Sequence, residues 1–289
     1  MIESRTSYPQ RPSTASENGF MGSDDNAQGR HELESNPAAL LDNAIEAISS
    51  QHSSVFWGDR LLTLDKSVSF RDDPNFKAAV KGTDSSTGEN QYTSPDGISW
   101  RYNTLIWAAR QALQIEGDFI ECGVYRGDMS WVITEMVNLR AHGRKMYLYD
   151  TFSGFSSKYS SSEDYPDAPQ FFAFANDSYG KAGLYEEVST RFKGKSYVNV
   201  IRGVVPDALV DTAPTKIAFL HLDLNSPSAE RAALDYLYDR ISPGGVIVFD
   251  DYGWSIFRKQ KEAADEFLAS KGLCALELPT GQGLAVKGH

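Results

Sequence analysis

Five short apolar runs recur from residue 118 onward, at residues 118–122, 145–149, 197–201, 217–223 and 246–249. Each is too short for a helix. Their near-continuous apolarity marks strands buried on both faces rather than strands with one wet side. Between most of them lie stretches with helical spacing, and strands alternating with helices predict a parallel sheet wound on both sides. Two further strand-like runs, 273–278 and 283–287, are separated only by Pro279-Thr280-Gly281-Gln282, a hairpin length. The sequence therefore predicts an α/β fold, a doubly wound and mostly parallel sheet with a C-terminal antiparallel hairpin strand.

The rest of the chain is read around that sheet. Residues 1–36 are rich in Ser, Asn, Gln, Gly, Asp and Pro with almost no large apolar side chains, a composition that predicts a disordered tail. Pro37 to Ile48 has helical spacing, with Asn36 as cap. Residues 37–99 read as an accessory, largely helical or lid segment, with a polar insert from Gly82 to Pro95, and 100–289 as the main domain. Within the latter, helices are expected at 101–115, 128–140, 183–192, 228–241 (capped by Ser226 or Ser228) and from about 255 to 270. Residues 151–182 form a long irregular stretch, the usual form of a binding loop or lid; its Tyr159, Tyr165, Phe171, Phe172 and Phe174 would cover an acceptor or pack on the accessory segment.

The formal net charge is -11, which repels phosphate backbones and anionic membranes and argues against nucleic acid or lipid surfaces as partners. No apolar core follows Met1-Ile2-Glu3-Ser4-Arg5, and no run approaches the ~20 apolar residues of a membrane helix, so a cytoplasmic protein is expected. Both cysteines, Cys122 and Cys274, sit in strand-like runs and are expected to be buried and reduced.

The first run leads into Glu121-Cys122-Gly123-Val124-Tyr125-Arg126-Gly127-Asp128, which reads as strand, tight turn, helix. In an open α/β sheet a nucleotide-like ligand lies at such a turn. A dinucleotide turn wants G-x-G-x-x-G, but Tyr125 and Asp128 stand where its second and third glycines would be. The acids Glu121 and Asp128 suit a ligand with a cationic amine and no phosphate, such as S-adenosylmethionine. Asp150, ending the second strand, is placed to accept both ribose hydroxyls of an adenosine. The alternative is that these acids only cap helices or line a solvated sheet end.

Asp223 ends the fourth strand and Asp250-Asp251 end the fifth, on the same sheet edge as Gly123. Carboxylates converging on one edge repel each other unless a cation sits between them, and hard oxygen ligands suit Mg²⁺ or another divalent ion. Adjacent strand residues point to opposite faces, so Asp250 and Asp251 share an ion only if the strand ends there, as Asp251-Tyr252-Gly253 allows. His221 shares the parity of Asp223 and reads as a general base or as the residue that orients the aspartate.

Together these blocks resemble the macrocin O-methyltransferase family. The resemblance is carried by Gly117 to Gly127, by Leu148-Tyr149-Asp150-Thr151-Phe152-Ser153-Gly154-Phe155, by Leu220-His221-Leu222-Asp223 and by Pro243 to Gly253, over roughly residues 100–287. It implies a Rossmann-like class I methyltransferase fold, and methylation of a natural-product hydroxyl or carboxyl group with S-adenosyl-L-methionine and Mg²⁺. By the same resemblance Glu121, Gly123, Val124, Tyr125, Gly127, Ser130, Asp150 and Thr151 are expected at the cofactor, and Asp223, Asp250 and Asp251 at the ion. Dimers or larger assemblies are implied as well. The chain departs from the family pattern at Asn225, where an aspartate usually serves as base, and at Asp128, where a glycine is usual. An amide cannot take up a proton at neutral pH, so binding of the cofactor is expected to survive better than chemistry.

Overall fold

The protein is described by a computed structural model covering residues 37–83 and 96–288. The tail expected over 1–36, with its Asn36 cap, and most of the polar insert expected from Gly82 to Pro95 lie outside the described residues. The described residues fall into two units, 37–51 and 52–288. In the first, Pro37–Ser49 forms helix α1, with Pro37 opening it.

The second unit begins with a two-stranded antiparallel hairpin, β1 (Val55–Gly58) and β2 (Leu61–Leu64). Helix α2 (Pro74–Lys81) follows, capped by the Asp73 carboxylate, which accepts the Asn75 N–H, and opened by Pro74. The stretch expected to be helical thus holds a hairpin as well. Helix α3 spans Ser99–Ala112, and strand β3 (Asp118–Cys122) leads through the glycine turn into α4 (Asp128–Met136). Then come β4 (Met146–Asp150), α5 (Gln170–Tyr179), α6 (Leu184–Phe192), β5 (Val198–Arg202), β6 (Ile217–Leu222) and α7 (Pro227–Leu237). Of the two serines considered, Ser226 caps α7, its hydroxyl accepting the Ala229 N–H. Strand β7 (Ile241–Phe249), helix α8 (Arg258–Ser270) and strands β8 (Leu276–Glu277) and β9 (Gly283–Val286) complete the unit.

The strand order is β5-β4-β3-β6-β7-β9-β8, with β3 to β7 parallel and β9 antiparallel to both its neighbours. The expected sheet is present. The chain builds outward from β3 through β4 and β5, then returns to place β6 on the other side of β3. The order reverses there, and a crevice opens outside the carboxyl ends of β3 and β6.

Register decides which side chains meet. Glu121 lies level with His221, and His221 with Val248. Strand neighbours in register share a face, and so do residues two apart along a strand. Glu121, His221, Asp223 and Asp250 therefore fall on one face, where Phe119, Phe219, Val246 and Val248 pack with Tyr102, Leu105 and Ala109 of α3 and Val132 and Ile133 of α4. The rings of Phe119 and Phe219 stack there at 5.3 Å, and burying each contributes about 1.5–3 kcal/mol. The opposite face, with Ile120, Cys122, Leu222 and Phe249, packs on Leu234 and Leu237 of α7 and Phe267 and Leu268 of α8.

Four expectations need correction. Pro243-Gly244-Gly245 does not precede the strand but lies inside β7, as an irregularity between the pairs Ile217–Ile241 and Phe219–Val246. Its backbone is still satisfied, because Gly244 N–H reaches Lys287 O at 2.8 Å and Lys287 N–H reaches Gly245 O at 2.9 Å. The irregular stretch 151–182 contains helix α5 and a short 3-10 turn at Ser162–Asp164. The helix expected to reach residue 140 ends at Met136. Cys122 is buried but Cys274 is exposed, ahead of the edge strand β8 whose two residues are exposed as well.

Candidate functional site

The glycine turn is fastened from the neighbouring strand. Asp150 Oδ2 accepts the N–H groups of Val124 at 2.7 Å and Tyr125 at 2.8 Å, and its Oδ1 accepts the Phe152 N–H at 2.6 Å. These charge-assisted bonds hold Tyr125 at φ +47 and Phe152 at φ +51, a left-handed conformation that bulky side chains avoid. Strain of this kind concentrates at ligand sites. Asp150, expected as an acceptor for a ribose, here shapes the turn and keeps little of its acceptor capacity. Thr151 is engaged too, its hydroxyl donating to Gly154 O at 2.5 Å. Gly127 caps α4. Asp128 is directed to the Arg191 guanidinium, 2.6 Å away, so its charge is compensated within the fold.

Below the turn runs a buried chain of alternating charges. Glu121, 1% exposed, accepts the Ser130 hydroxyl and lies 3.0 Å from His221 Nδ1. His221 Nε2 points at Asp250 Oδ1 from 3.4 Å and has no hydrogen-bond partner. Asp250 Oδ1 accepts Gln282 Nε2 at 2.8 Å, and Oδ2 accepts Arg101 Nη1 at 2.6 Å. The same Nη1 is 3.3 Å from Asp251 Oδ1, and Arg101 Nε donates to Asp59 Oδ2 at 2.5 Å. Asp59 stands in the turn between β1 and β2, and Arg101 in the first turn of α3.

The electrostatics follow from this order. Burial alone would lower the pKa of His221, but the carboxylates of Asp250 and Glu121 outweigh it and push it up to about 10. Burial would raise Asp250, yet Arg101 and His221 hold its carboxyl below the usual range. Asp223 and Asp251 are both pushed up, first by burial and then by the neighbouring acids. Negative charge is thus in surplus on this edge despite Arg101.

Of the expected ion ligands, Asp223 and Asp250 come together, and His221 joins them: one ligand atom from each lies within 4.8 Å of the other two. Asp251 turns its Oδ1 toward Arg101 instead. Hard carboxylate oxygens and surplus negative charge fit a divalent cation. Asn225, buried at φ +53, donates Nδ2 to Asp223 Oδ1 at 2.9 Å. Its backbone carbonyl accepts the hydroxyl of Tyr165.

Tyr165 ties the 151–182 segment to this loop. Its buried ring meets Phe155, Phe171, Phe172 and Phe257, so these aromatics form a small core of their own. Ser226 adds a bond from its hydroxyl to Tyr159 O at 2.8 Å, while Phe174 stays exposed. Sequence reasoning missed Arg101, Asp59 and Gln282. A signal for Arg101 existed: a cation in the first turn of a helix opposes the helix dipole and implies nearby acids.

A family model described as Macrocin-O-methyltransferase (TylF) matches residues 101–276, from Arg101 through the glycine turn and both acidic strand ends. The chain belongs to the macrocin O-methyltransferase family. Among relatives of this macrocin O-methyltransferase family member, mycinamicin III 3''-O-methyltransferase of Micromonospora griseorubida is 29% identical over 162 residues, covering 53% of this chain and 62% of the relative. The 8-demethyl-8-(2,3-dimethoxy-alpha-L-rhamnosyl)-tetracenomycin-C 4'-O-methyltransferase of Streptomyces olivaceus is 29% identical over 146 residues, 48% of this chain and 54% of the relative. The chain therefore spans less than two thirds of the length of these relatives. The solved O-methyltransferase NovP superposes with a TM-score of 0.54 at 21% identity, over 65% of this chain and 80% of NovP. The fold is that of the class I methyltransferases.

Proposed function

We propose that this macrocin O-methyltransferase family member transfers the methyl group of S-adenosyl-L-methionine to a hydroxyl or carboxyl oxygen of a small natural-product acceptor. The observation that carries the reading is the shared face: the turn after β3 and the acids ending β6 and β7 flank the crevice where the strand order reverses. The named activities of the relatives support it.

In this reading the turn from Gly123 to Gly127, with Val124 and Tyr125, receives the cofactor. Glu121, seated by Ser130 and His221, supplies negative potential toward its cationic end, and Asp150 and Thr151 hold the turn and flank the adenosine. Asp223 and Asp250, with Asp251 or His221, would hold Mg²⁺ or a similar ion, which when bound lowers the pKa of an acceptor hydroxyl. The acceptor oxygen attacks the methyl carbon, the carbon–sulfur bond breaks, and its electron pair stays on sulfur as a neutral thioether. A hydroxyl proton must also leave. Asn225 does not take it, and His221 is already flanked by two carboxylates. A phenol, enol or carboxylic acid acceptor lessens or removes that need. Among the described residues no helix is long and apolar enough to cross a membrane.

Calorimetric titration with S-adenosylmethionine, with and without Mg²⁺, tests the premise: absence of heat at millimolar ligand sinks every cofactor-based reading. A methyl-transfer screen over phenols, sugars and carboxylic acids, repeated with EDTA, tests the chemistry; turnover indifferent to EDTA removes the ion. A second reading, cofactor binding without transfer, is favoured by the Asn225–Asp223 bond and is supported if binding occurs without turnover on any class.

A further inference from the structure

Arg101 is an unusual residue for its position. It lies in the first turn of α3, where a positive charge opposes the helix dipole, and it is 7% exposed. A buried guanidinium is tolerated only when carboxylates surround it. Three do: Asp59 at 2.5 Å, Asp250 at 2.6 Å and Asp251 at 3.3 Å. The indole of Trp254 covers it, with its ring centroid 5.1 Å from the guanidinium carbon. Of these three acids, Asp250 lies in the candidate ion site and Asp251 beside it. On the other side of Asp250, the fully buried His221 Nε2 lies 3.4 Å from Oδ1.

We infer that Arg101 is a positioning residue and built-in counter-cation of this site, fixing Asp250 and Asp251 while opposing the divalent ion they would bind. The inference rests on the ion reading of the proposed function. The guanidinium holds Oδ2 of Asp250 and so leaves Oδ1 on the side of His221. Its single charge then repels a dication competing for the same carboxylates. Asp59, from the turn between β1 and β2, offsets part of that charge. The hairpin thereby tunes how tightly the ion is held.

This arrangement has a signature that a merely structural ion pair lacks. Removing Arg101 tightens ion binding, and removing the charge of its partner Asp59 weakens it. Loosening of the fold would shift both in the same direction.

The test is Mn²⁺ titration of the full chain without cofactor, followed by the electron paramagnetic resonance signal of the free ion. Arg101→Gln is expected to bind at least about tenfold more tightly than wild type, as loss of a unit charge within several ångströms implies at an effective dielectric of about 20. Asp59→Asn is expected to bind about threefold or more weakly. Arg101→Lys, which keeps the charge, stays within about threefold of wild type. If wild type binds and Arg101→Gln binds equally or more weakly, the inference falls while the ion reading stands. If neither binds, both fall. Should Arg101→Gln fail to fold by circular dichroism, Asp59→Asn decides: equal or tighter binding overturns the inference.

Discussion

Asn225 donates its side-chain amide to Asp223, Nδ2 to Oδ1, across 2.9 Å, from a backbone held at φ +53. Asparagine tolerates that conformation, and its amide supplies a donor to a carboxylate already raised by burial and by Asp250 and Asp251. Asn225→Asp replaces this donor with a fourth negative charge. We expect the ion-free protein to lose about 1–3 kcal/mol of stability, measured by denaturant unfolding, with recovery on adding Mg²⁺. Methyl transfer to weakly acidic alcohols is expected to rise, since a proton acceptor then stands beside the acids. Unchanged turnover would place proton removal elsewhere.

Gly123 brings β3 and β6 together at the crevice. A Cβ here would lie 1.9 Å from Asp223 O and 2.5 Å from its carbonyl carbon, both backbone atoms, at φ +87. Neither neighbour can move without separating the strands. Gly123→Ala is expected to cost more than about 3 kcal/mol and to abolish cofactor binding. Gly143→Ala is the contrast: φ is +65 but nothing lies within 4 Å. That change should cost only about 1 kcal/mol. Equal melting temperatures for the two variants would refute the close-approach account.

Tyr165 anchors the 151–182 segment through its buried ring and its hydroxyl bond to Asn225 O. Tyr165→Phe keeps the ring and removes one donor, a loss of about 0.5–1.5 kcal/mol. Tyr165→Ala removes the ring as well, for about 3–5 kcal/mol. Because the bond joins a loop segment to the site, limited proteolysis should show faster cleavage within 151–169 in Tyr165→Phe, with little change in global melting. Cleavage at the wild-type rate would show that the ring alone holds the segment.

What the sequence made legible was what local patterning encodes. Buried parallel strands write themselves as unbroken apolar runs, and Gly123 and Asp150 stand at strand ends where the turn demands them. The β7 irregularity was hidden because Pro243-Gly244-Gly245 has the composition of a turn, and only pairing with β6 and β9 shows it within the sheet. The ion pair of Arg101 with Asp250 was hidden for another reason: the partners lie 149 positions apart, and Asp250 alone reads as an ion ligand while Arg101 reads as one more helix residue. Asp251 was placed with the ion by motif, but the guanidinium nearby draws its Oδ1. Helix α5 was missed because its aromatic face packs on neighbours within its own segment and on Phe257, leaving no amphipathic stripe toward the main core.

Glu230 gives the fold a pH dependence set first by burial, with smaller contributions from Asp251, His221 and Asp250. It is 2% exposed, accepts Gln260 Nε2 at 2.5 Å and the Leu224 N–H at 3.3 Å, and leaves Oε2 unpartnered. Burial pushes its carboxyl up to about 8 from an ordinary value of 4.5. Between those values the folded chain keeps a proton that the unfolded chain releases, so stability falls as pH rises. The contribution is full below about pH 4.5 and is lost as pH climbs through about 8. It amounts to at most about 4–5 kcal/mol across that window. Glu230→Gln keeps the shape and the acceptor for Gln260 but cannot ionise. Its unfolding free energy should therefore decline less than that of wild type from pH 5 to about 8.5, with the two converging in acid. Parallel curves in denaturant titrations across that range would show that Glu230 ionises alike in both states.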